Sequence, residues 1–305
     1  MPTTQIRPFV RADRVQLTSL VNAHLAAVMP GGSLSVQALL SHLEAEPGEF
    51  IVDRWVTDRR TLVAEQDGRI VAAAHLLRYG KGPEVGPAYR DAAEIAWLVC
   101  WPDAPFWAGS EAAGWAVLEV AVGQFTDWGA SRWYADGSLP VPGVYGVPDA
   151  WPHIRALFHR AGFVPGREEV VLACAVADIP RRTPQKWTIT RRLGSNGVRF
   201  SAELNGERLG YLEVDTAYDG SRFSSGTSRA DIGNLFVEEG KRRQGVATSL
   251  LAEAGSWLRL AGSASLITYL DDTSPASERL FYERVGFEEL TRTTRGWARL
   301  PRQDG

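Results

Sequence analysis

The stretch Arg242-Arg-Gln-Gly-Val-Ala247 lies between a short apolar run, Leu235-Phe-Val237, and a helical pattern from Thr248 to Leu260. A strand that turns tightly into a helix directs several unpaired backbone N–H groups, and the positive end of the helix dipole, toward one point. Such a turn is suited to binding phosphate. Gly245 permits a positive φ, and the small Ala247 leaves space beside it. The stretch therefore predicts a phosphate-binding turn.

Two further patterns lie on either side of this turn. The strand before it begins with an acid, Asp231-Ile-Gly-Asn-Leu-Phe-Val237, and a later helix reads Leu280-Phe-Tyr-Glu-Arg-Val-Gly-Phe287. The Arg-x-x-Gly-x-Ala spacing resembles the acetyl-CoA pyrophosphate loop of the GNAT family of N-acetyltransferases. The tyrosine helix that ends at a Gly-Phe pair resembles the second signature of that family. The resemblance covers residues 187–295 closely and implies acetyl-CoA as the co-substrate.

The resemblance also implies which residues bind the co-substrate. The strand end matches the segment that pairs with the pantetheine arm and polarises the thioester carbonyl. The backbone N–H groups of residues 243–248 would hold the pyrophosphate, helped by the charge of Arg242. The implied binding residues are Leu235, Phe236, Val237, Arg242, Arg243, Gln244, Gly245, Val246, Ala247 and Thr248.

Two residues match catalytic positions of the family. Tyr282 matches the general acid that protonates the leaving thiolate, and an ordinary tyrosine pKa near 10 suits that task. Asp231 stands where some members carry a glutamate base, and its shorter side chain would act through a water molecule. The alternatives are that Tyr282 is a packed core aromatic and that Asp231 makes a structural hydrogen bond.

The chain repeats one order of elements in its two halves. Asp67-Gly68 and Asn205-Gly206 each predict a hairpin turn. Each half then has an acid-headed strand (at Glu94 and at Asp231), a helix, a strand, a helix ending in Gly-Phe, and a last apolar strand. We expect an α+β fold of two tandem GNAT domains, each a mixed, mostly antiparallel twisted sheet flanked by helices. The plan resembles tandem members of the family, including the mycothiol synthases.

The segment Asp178–Lys186 is polar and contains two prolines, so it predicts a linker. We place the first domain at residues 1–178, the linker at 179–186 and the second domain at 187–305. Only the first half has helical patterns before its hairpin, at Arg11–Val28 and Ser35–Glu44. Helices that cover an acceptor cleft are therefore missing from the second half.

The two halves differ in their chemistry. Pro102–Glu111 aligns with the phosphate-binding turn but lacks its pattern, and Asp103 and Glu111 place negative charge there. Phe158 stands at the position of Tyr282 and cannot donate a proton. We therefore expect the first half to be a degenerate GNAT domain with a structural and substrate-shaping role, and the second half to be the catalyst.

Composition excludes several other classes of function. A formal net charge of −3 over 305 residues gives no reason to expect nucleic acid or an anionic membrane as a partner. Cys100 and Cys174 lie in apolar runs, which favours free thiols and a cytoplasmic location. No apolar run is long enough for a membrane span. The five histidines lack metal-binding spacing, so we expect no metal.

These patterns together predict an acetyl-CoA-dependent N-acetyltransferase. It would transfer the acetyl group to a primary amine of a small molecule by direct attack in a ternary complex. Two alternatives remain open. One is a mycothiol-synthase-like acetylation of an aminothiol precursor, and the other is a non-catalytic acyl-CoA-binding sensor. The oligomeric state is left open.

Overall fold

The computed structural model describes residues 3–44, 52–102, 109–140, 145–181, 185–194, 197–216 and 229–299. Its helices are α1 Arg14–Val28, α2 Val36–Leu43, α3 Ser110–Asp127, α4 Pro152–Arg160, α5 Val246–Leu260 and α6 Ala276–Arg284. Its strands are β1 Thr4–Pro8, β2 Val56–Gln66, β3 Arg69–Tyr79, β4 Ala92–Cys100, β5 Arg132–Ala135, β6 Val147–Pro148, β7 Arg167–Ala175, β8 Thr188–Leu193, β9 Gly197–Leu204, β10 Glu207–Asp215, β11 Arg229–Val237, β12 Ser265–Asp271, β13 Glu288–Arg295 and β14 Trp297–Arg299.

The chain folds as two compact units. The first unit comprises Met1–Glu168 and Thr293–Gly305, and the second comprises Glu169–Arg292. Mixed sheets flanked by helices confirm the predicted α+β fold. Within the described chain, none of the helices combines the length and apolar character needed to cross a membrane.

The first unit contains a sheet with strand order β1-β2-β3-β4-β5-β14. Its β2–β3 hairpin turns at Asp67 and Gly68, both with positive φ, as predicted for a two-residue turn. The predicted helix α2 begins at Ser35, whose hydroxyl accepts a hydrogen bond from the Ala38 N–H at 3.1 Å. Helices α1 and α3 both contact β3 and β4, and every residue of β4 is buried. This sheet is therefore covered on both faces.

The second unit contains strands in the order β13-β7-β12-β11-β10-β9-β8. Helix α5 packs on β9, β10 and β11. The inward residues of these strands, among them Phe200 and Leu212, join Leu250 and Leu251 in one apolar core. Because side chains alternate along a strand, the intervening residues point to the opposite side of the sheet. We call that side the open face; it carries Arg199, Ser201, Tyr211 and Glu213, all only partly buried.

The two units do not follow the predicted boundaries. Strand β7 comes from the first half of the sequence but lies between β12 and β13, whereas β14 comes from the second half and pairs with β5. The units therefore divide at residues 168/169 and 292/293 instead of at the expected linker, 179–186. One last strand was predicted for each half, but the structure divides that of the second half into β13 and β14. A strand's pattern does not specify which sheet it joins. Residues 182–184 of the expected linker lie outside the described residues.

Candidate functional site

The predicted phosphate-binding turn joins β11 to α5. Gly245 caps the helix with φ +88°, and Arg243 also has a positive φ, +58°. A Cβ atom built on Gly245 would meet no atom within 4 Å. The left-handed backbone, and not crowding, is therefore the reason that glycine fits this position.

The N-terminus of α5 presents unpaired N–H groups. The first N–H that bonds back along the helix is that of Ser249, which donates to the Gly245 carbonyl at 2.9 Å. Among the described residues, the N–H groups of 243–248 find no backbone acceptor. Arg243, Gln244 and Thr248 are exposed, whereas the Val246 side chain is buried in the core, so only the backbone of Val246 could reach a ligand. The turn thus has the donors that a diphosphate requires.

Two side chains of the turn hydrogen-bond to carbonyls of the chain before it, one of them at the end of β11. Arg242 Nε donates to the Val237 carbonyl at 3.1 Å, and Gln244 Nε2 donates to the Gly240 carbonyl at 3.1 Å. The structure therefore gives Arg242 a bracing hydrogen bond in addition to the electrostatic role predicted for it. Both cations, Arg242 and Arg243, remain exposed at the helix N-terminus.

Strands β11 and β12 separate at the predicted co-substrate segment. Their parallel pairing covers only Arg229–Asp231 with Ser265–Ile267, although β11 continues to Val237. The Glu238 N–H donates to the Leu209 carbonyl of the neighbouring strand β10 at 2.9 Å. Strand alternation then turns the N–H groups of Leu235 and Val237 away from β10. These N–H groups border what we call the β11–β12 gap, the space beside residues 232–237.

An extended molecule can use such an unpaired strand edge, because main-chain hydrogen bonds hold it as an added strand. The side chains of Leu235 and Val237 are partly buried against the core, and Phe236 packs beside Tyr211 at 5.6 Å between ring centroids. The predicted segment Leu235–Val237 therefore offers its backbone, more than its side chains, to a ligand. The gap leads along β11 toward the N-terminus of α5.

Asp231 lies where the two strands begin to separate. It is buried, and the Tyr269 hydroxyl donates to its Oδ2 at 3.3 Å. Asp231 is also the cross-strand partner of Asp215, so both carboxylates belong to the same side of the sheet, the open face. Tyr269 was not predicted from the sequence. Its position two residues after Ile267, the parallel partner of Asp231, was the available signal.

Tyr282 approaches from the other side of the sheet. It is buried against Phe281 and Phe287, each at 5.2 Å between ring centroids. Burial raises the pKa of Tyr282 to about 12, and a hydrogen bond with the Thr268 side chain opposes that shift. Thr268 follows Ile267 on β12, so it faces the core while Tyr269 faces the opposite side. The two predicted catalytic residues thus flank the β11–β12 gap from opposite faces.

The first unit fills the corresponding gap with its own chain. Beyond the β4–β5 pairing, the Asp136 N–H donates to the Ile95 carbonyl at 2.8 Å and the Ser138 N–H donates to the Ala96 carbonyl at 2.9 Å. Further along β4, the His153 ring hydrogen-bonds to the Cys100 carbonyl at 3.0 Å. These three carbonyls of β4 are therefore not available to an added strand.

The two units are alike at the glycine that begins their helix but differ at the positions of Tyr282 and Asp231. Gly109 caps α3 with φ +93°, much like Gly245, but most of the chain before it, residues 103–108, lies outside the described residues. Phe158, at the position of Tyr282, packs in the core against Phe163 and Trp297. Glu94, at the position of Asp231, accepts a hydrogen bond from the Tyr79 hydroxyl. Burial, with the nearby Asp136 charge, raises the pKa of Glu94 to about 7.

Metal ligands were not expected from the sequence. Over the described ranges, no group of three or more histidine, cysteine, aspartate or glutamate side chains is placed to hold a metal ion.

Comparison with known proteins agrees with this geometry. Residues 195–289 match the family model for the acetyltransferase (GNAT) domain. A tandem GNAT protein from the clavulanic acid biosynthesis pathway is similar in structure, with a TM-score of 0.66 and 14% identity over 99% of this chain and 100% of that one. The fold is a tandem GNAT fold. The predicted family resemblance is thereby confirmed.

Two further solved structures resemble this chain in fold. A GCN5-related N-acetyltransferase from Sphaerobacter thermophilus has a TM-score of 0.64 and 14% identity, covering 99% of this chain and 98% of that one. A GCN5-related glucosamine N-acetyltransferase region of a fungal multi-domain GH3 beta-N-acetylglucosaminidase has a TM-score of 0.62 and 15% identity. That match covers 97% of this chain but only 38% of the fungal protein. None of the curated proteins matches the sequence.

Proposed function

We propose that this chain is an N-acetyltransferase that transfers the acetyl group of acetyl-CoA to a primary amine of a small molecule. The observation that carries the proposal is the β11–β12 gap: beyond Asp231 this edge of β11 pairs with no described strand, and it leads to N–H groups at the N-terminus of α5 that find no backbone acceptor among the described residues. The residues present fit the co-substrate, since an extended arm and a diphosphate need these two kinds of donor. The bound co-substrate supplies the activated acetyl group.

The protein's own residues would bind, orient and move protons. The N–H groups of Leu235 and Val237 would align the arm in the gap, and the N–H groups of residues 243–248 would bind the diphosphate. Asp231 would take a proton from the ammonium form of the acceptor through a water molecule. The freed amine would form the new C–N bond while the C–S bond breaks, and Tyr282 would donate a proton to the departing sulfur. The second proton lost by the nitrogen would return to Tyr282 through solvent.

The environment of Tyr282 supports this last role. Burial raises its pKa to about 12, so the hydroxyl stays protonated across the physiological pH range. A protonated acid is the required form for a group that neutralises a thiolate.

We propose one co-substrate site per chain, in the second unit. Contacts along β4 support this assignment, because the first unit's own residues occupy the carbonyls of Ile95, Ala96 and Cys100, on which an added strand would otherwise draw. The first half would then have the structural and substrate-shaping role predicted from the sequence.

The two alternatives from the sequence remain distinguishable. A non-catalytic sensor would need the turn and the gap but neither Asp231 nor Tyr282. A mycothiol-synthase-like enzyme would use the same site with an aminothiol precursor. We favour the general amine acetyltransferase because both proton-transfer residues flank the gap, whereas none of the described residues beside it is specific for a thiol.

The direct test is calorimetric titration with acetyl-CoA, followed by a panel of amines monitored through free-thiol release. We expect saturable acetyl-CoA binding and thiol release that depends on the amine. Binding without turnover across amines, amino sugars and aminothiols would favour the sensor. An absence of acetyl-CoA binding would contradict the proposal.

A further inference from the structure

A groove of about 710 Å³ lies on the open face of the second unit. The described chain passes from β8 to β9 with no helix element between them, whereas the first unit places α1 and α2 between β1 and its hairpin. The groove is polar, and its lining includes Thr190, Arg192, Arg199, Ser201, Glu213 and Asp215. Its volume is in the range of pockets that hold whole small molecules.

The groove reaches the point where β11 and β12 separate. Gly233 lines it and is the extra residue of a bulge in β11, between the pairs Val214–Ile232 and Glu213–Asn234. A Cβ on Gly233 would lie 3.0 Å from Asp215 Oδ2, so this carboxylate rests directly on the bulge. Because Asp215 and Asp231 are cross-strand partners, the groove opens onto the same face as the proposed base.

Charge in the groove is ordered across the strands. Beside the bulge the acids are Glu213 and Asp215 on β10, next to β11. Level with Glu213, Arg199 lies on β9 and Arg192 lies on β8, directly opposite each other. The remaining charged residues of the lining, Glu203 and Arg208, are cross-strand partners nearer the β9–β10 hairpin. At the bulge end of the groove, a molecule therefore meets negative charge near the acetyl-transfer point and positive charge toward the sheet edge.

The charged neighbours of these side chains differ, and the differences indicate which of them could bind a charged ligand. Arg199 lies 3.9 Å above the Tyr211 ring and 3.5 Å from a Glu213 oxygen, so Glu213 already has a cation beside it. Burial and the Glu213 charge raise the pKa of Asp215. A negative environment of this kind attracts an ammonium group. Arg192 is exposed and forms no ion pair within the described ranges, which leaves its charge for a ligand.

We propose that this groove binds the acceptor, and that the acceptor is a zwitterion. Its amine would lie at Asp215, and a carboxylate or phosphate at its other end would lie at Arg192. Strand spacing separates β10 from β8 by roughly 10 Å, so the two charges of the acceptor are several bonds apart. This inference rests on the proposed function for its reaction but specifies the substrate class independently.

The test uses two probes that differ only in the anionic end, 6-aminohexanoate and 6-aminohexanamide. Their binding to the full chain is measured by calorimetry without acetyl-CoA, for the wild type and for Arg192→Gln. The matched control is Arg191→Gln, because Arg191 pairs with the inward-facing Phe200 and therefore belongs to the other face of β8. Loss of one charge is common to both variants.

We expect the wild type and Arg191→Gln to bind the acid about tenfold more tightly than the amide, the usual value of one charged hydrogen-bonding partner. Arg192→Gln should bind both probes equally. Asp215→Asn should weaken both probes, since both carry the amine. Equal affinity of the wild type for the two probes, or no binding of either, would overturn the proposal, as would identical behaviour of the two arginine variants.

Acetyl-CoA titration of the same proteins separates this inference from the proposed function. Arg192→Gln should bind acetyl-CoA as the wild type does, because Arg192 lies three strands from the β11–β12 gap in the sheet order. A protein that binds the zwitterion through Arg192 but never binds acetyl-CoA would contradict the proposed function alone. A protein that acetylates amines equally well with and without an anionic end would contradict this inference alone.

Discussion

At the scale of single residues, the glycine turn and the tyrosine helix could be located from the sequence because both depend on local spacing. The start of α5 after Gly245 is confirmed by its left-handed backbone. The hydrogen-bonding partners of the proposed catalytic groups could not be located this way. Tyr269 reaches Asp231, and Thr268 reaches Tyr282, only through the register of β11 with β12 and the packing of α6.

Replacing Tyr282 with phenylalanine removes one oxygen and leaves the packed ring. We expect Tyr282→Phe to lower turnover about 10²-fold and to leave acetyl-CoA affinity nearly unchanged, since only proton donation is lost. Steady-state kinetics and calorimetry would measure both quantities. Tyr134→Phe is the matched control, because it removes a hydroxyl that donates to the Ala88 carbonyl in the first unit. Wild-type turnover in Tyr282→Phe would make Tyr282 a packing residue.

Glu94 gives the first unit a stability that depends on pH. Its pKa is raised from 4.5 to about 7 by burial. The unfolded chain therefore ionises first, and the stability present below pH 4.5 is lost as the pH rises through 7. The loss is about 1.4 kcal/mol per pH unit, or about 3 kcal/mol in all.

We expect Glu94→Gln to show a smaller fall in thermal unfolding midpoint than the wild type between pH 4.5 and 7.5. Its amide has no proton to lose in this range, and its oxygen can still accept from Tyr79. Glu119→Gln, an exposed position on α3, is the control and should follow the wild type. If both variants keep the wild-type pH dependence, the carboxyl of Glu94 is ionised in the folded protein.

At the scale of elements, the sequence predicted the hairpins and helices well, because turn residues and periodic apolar positions are local signals. Asn205 and Gly206 both have positive φ, as expected for the second hairpin. The sheet that each last strand joins was not predicted. Strand β7 fills the space between β12 and β13, and its pairing from Glu169–Asp271 to Ala175–Ser265 depends on residues far away in the chain.

The position of β7 has a consequence for fragments. Residues 186–305 correspond to the second half of the sequence but lack β7, an internal strand of the second sheet. We expect this fragment to aggregate or to unfold without a cooperative transition. The fragment 167–305 restores the strand and should show a cooperative transition by circular dichroism. A fragment 186–305 that folds cooperatively and binds acetyl-CoA like the full chain would contradict this expectation.

At the scale of the whole molecule, two units with one fold differ in whether a strand edge is open. The burial of all of β4, set against the partial exposure of residues 233–237 in β11, is the clearest sign of this difference. The sequence indicated it through Phe158 and the altered turn at Pro102–Glu111. The chain segments that cover β4, around Asp136 and Ser138, became visible only in the structure. The substrate-shaping role of the first half stays a prediction.

The central claim is that acetyl-CoA binds once per chain, at the Gly245 turn. Gly245→Glu and Gly109→Glu form a matched pair. Both glycines have φ near +90° at the start of a helix, and a Cβ on either would meet nothing within 4 Å. The backbone strain and the added charge are therefore the same in both variants.

Calorimetric titration with acetyl-CoA across the wild type and this pair tests the claim most directly. We predict one site per chain with unchanged affinity in the wild type and Gly109→Glu, and no measurable binding in Gly245→Glu. Two equivalent sites in the wild type, or loss of binding in Gly109→Glu with binding retained in Gly245→Glu, would contradict the account.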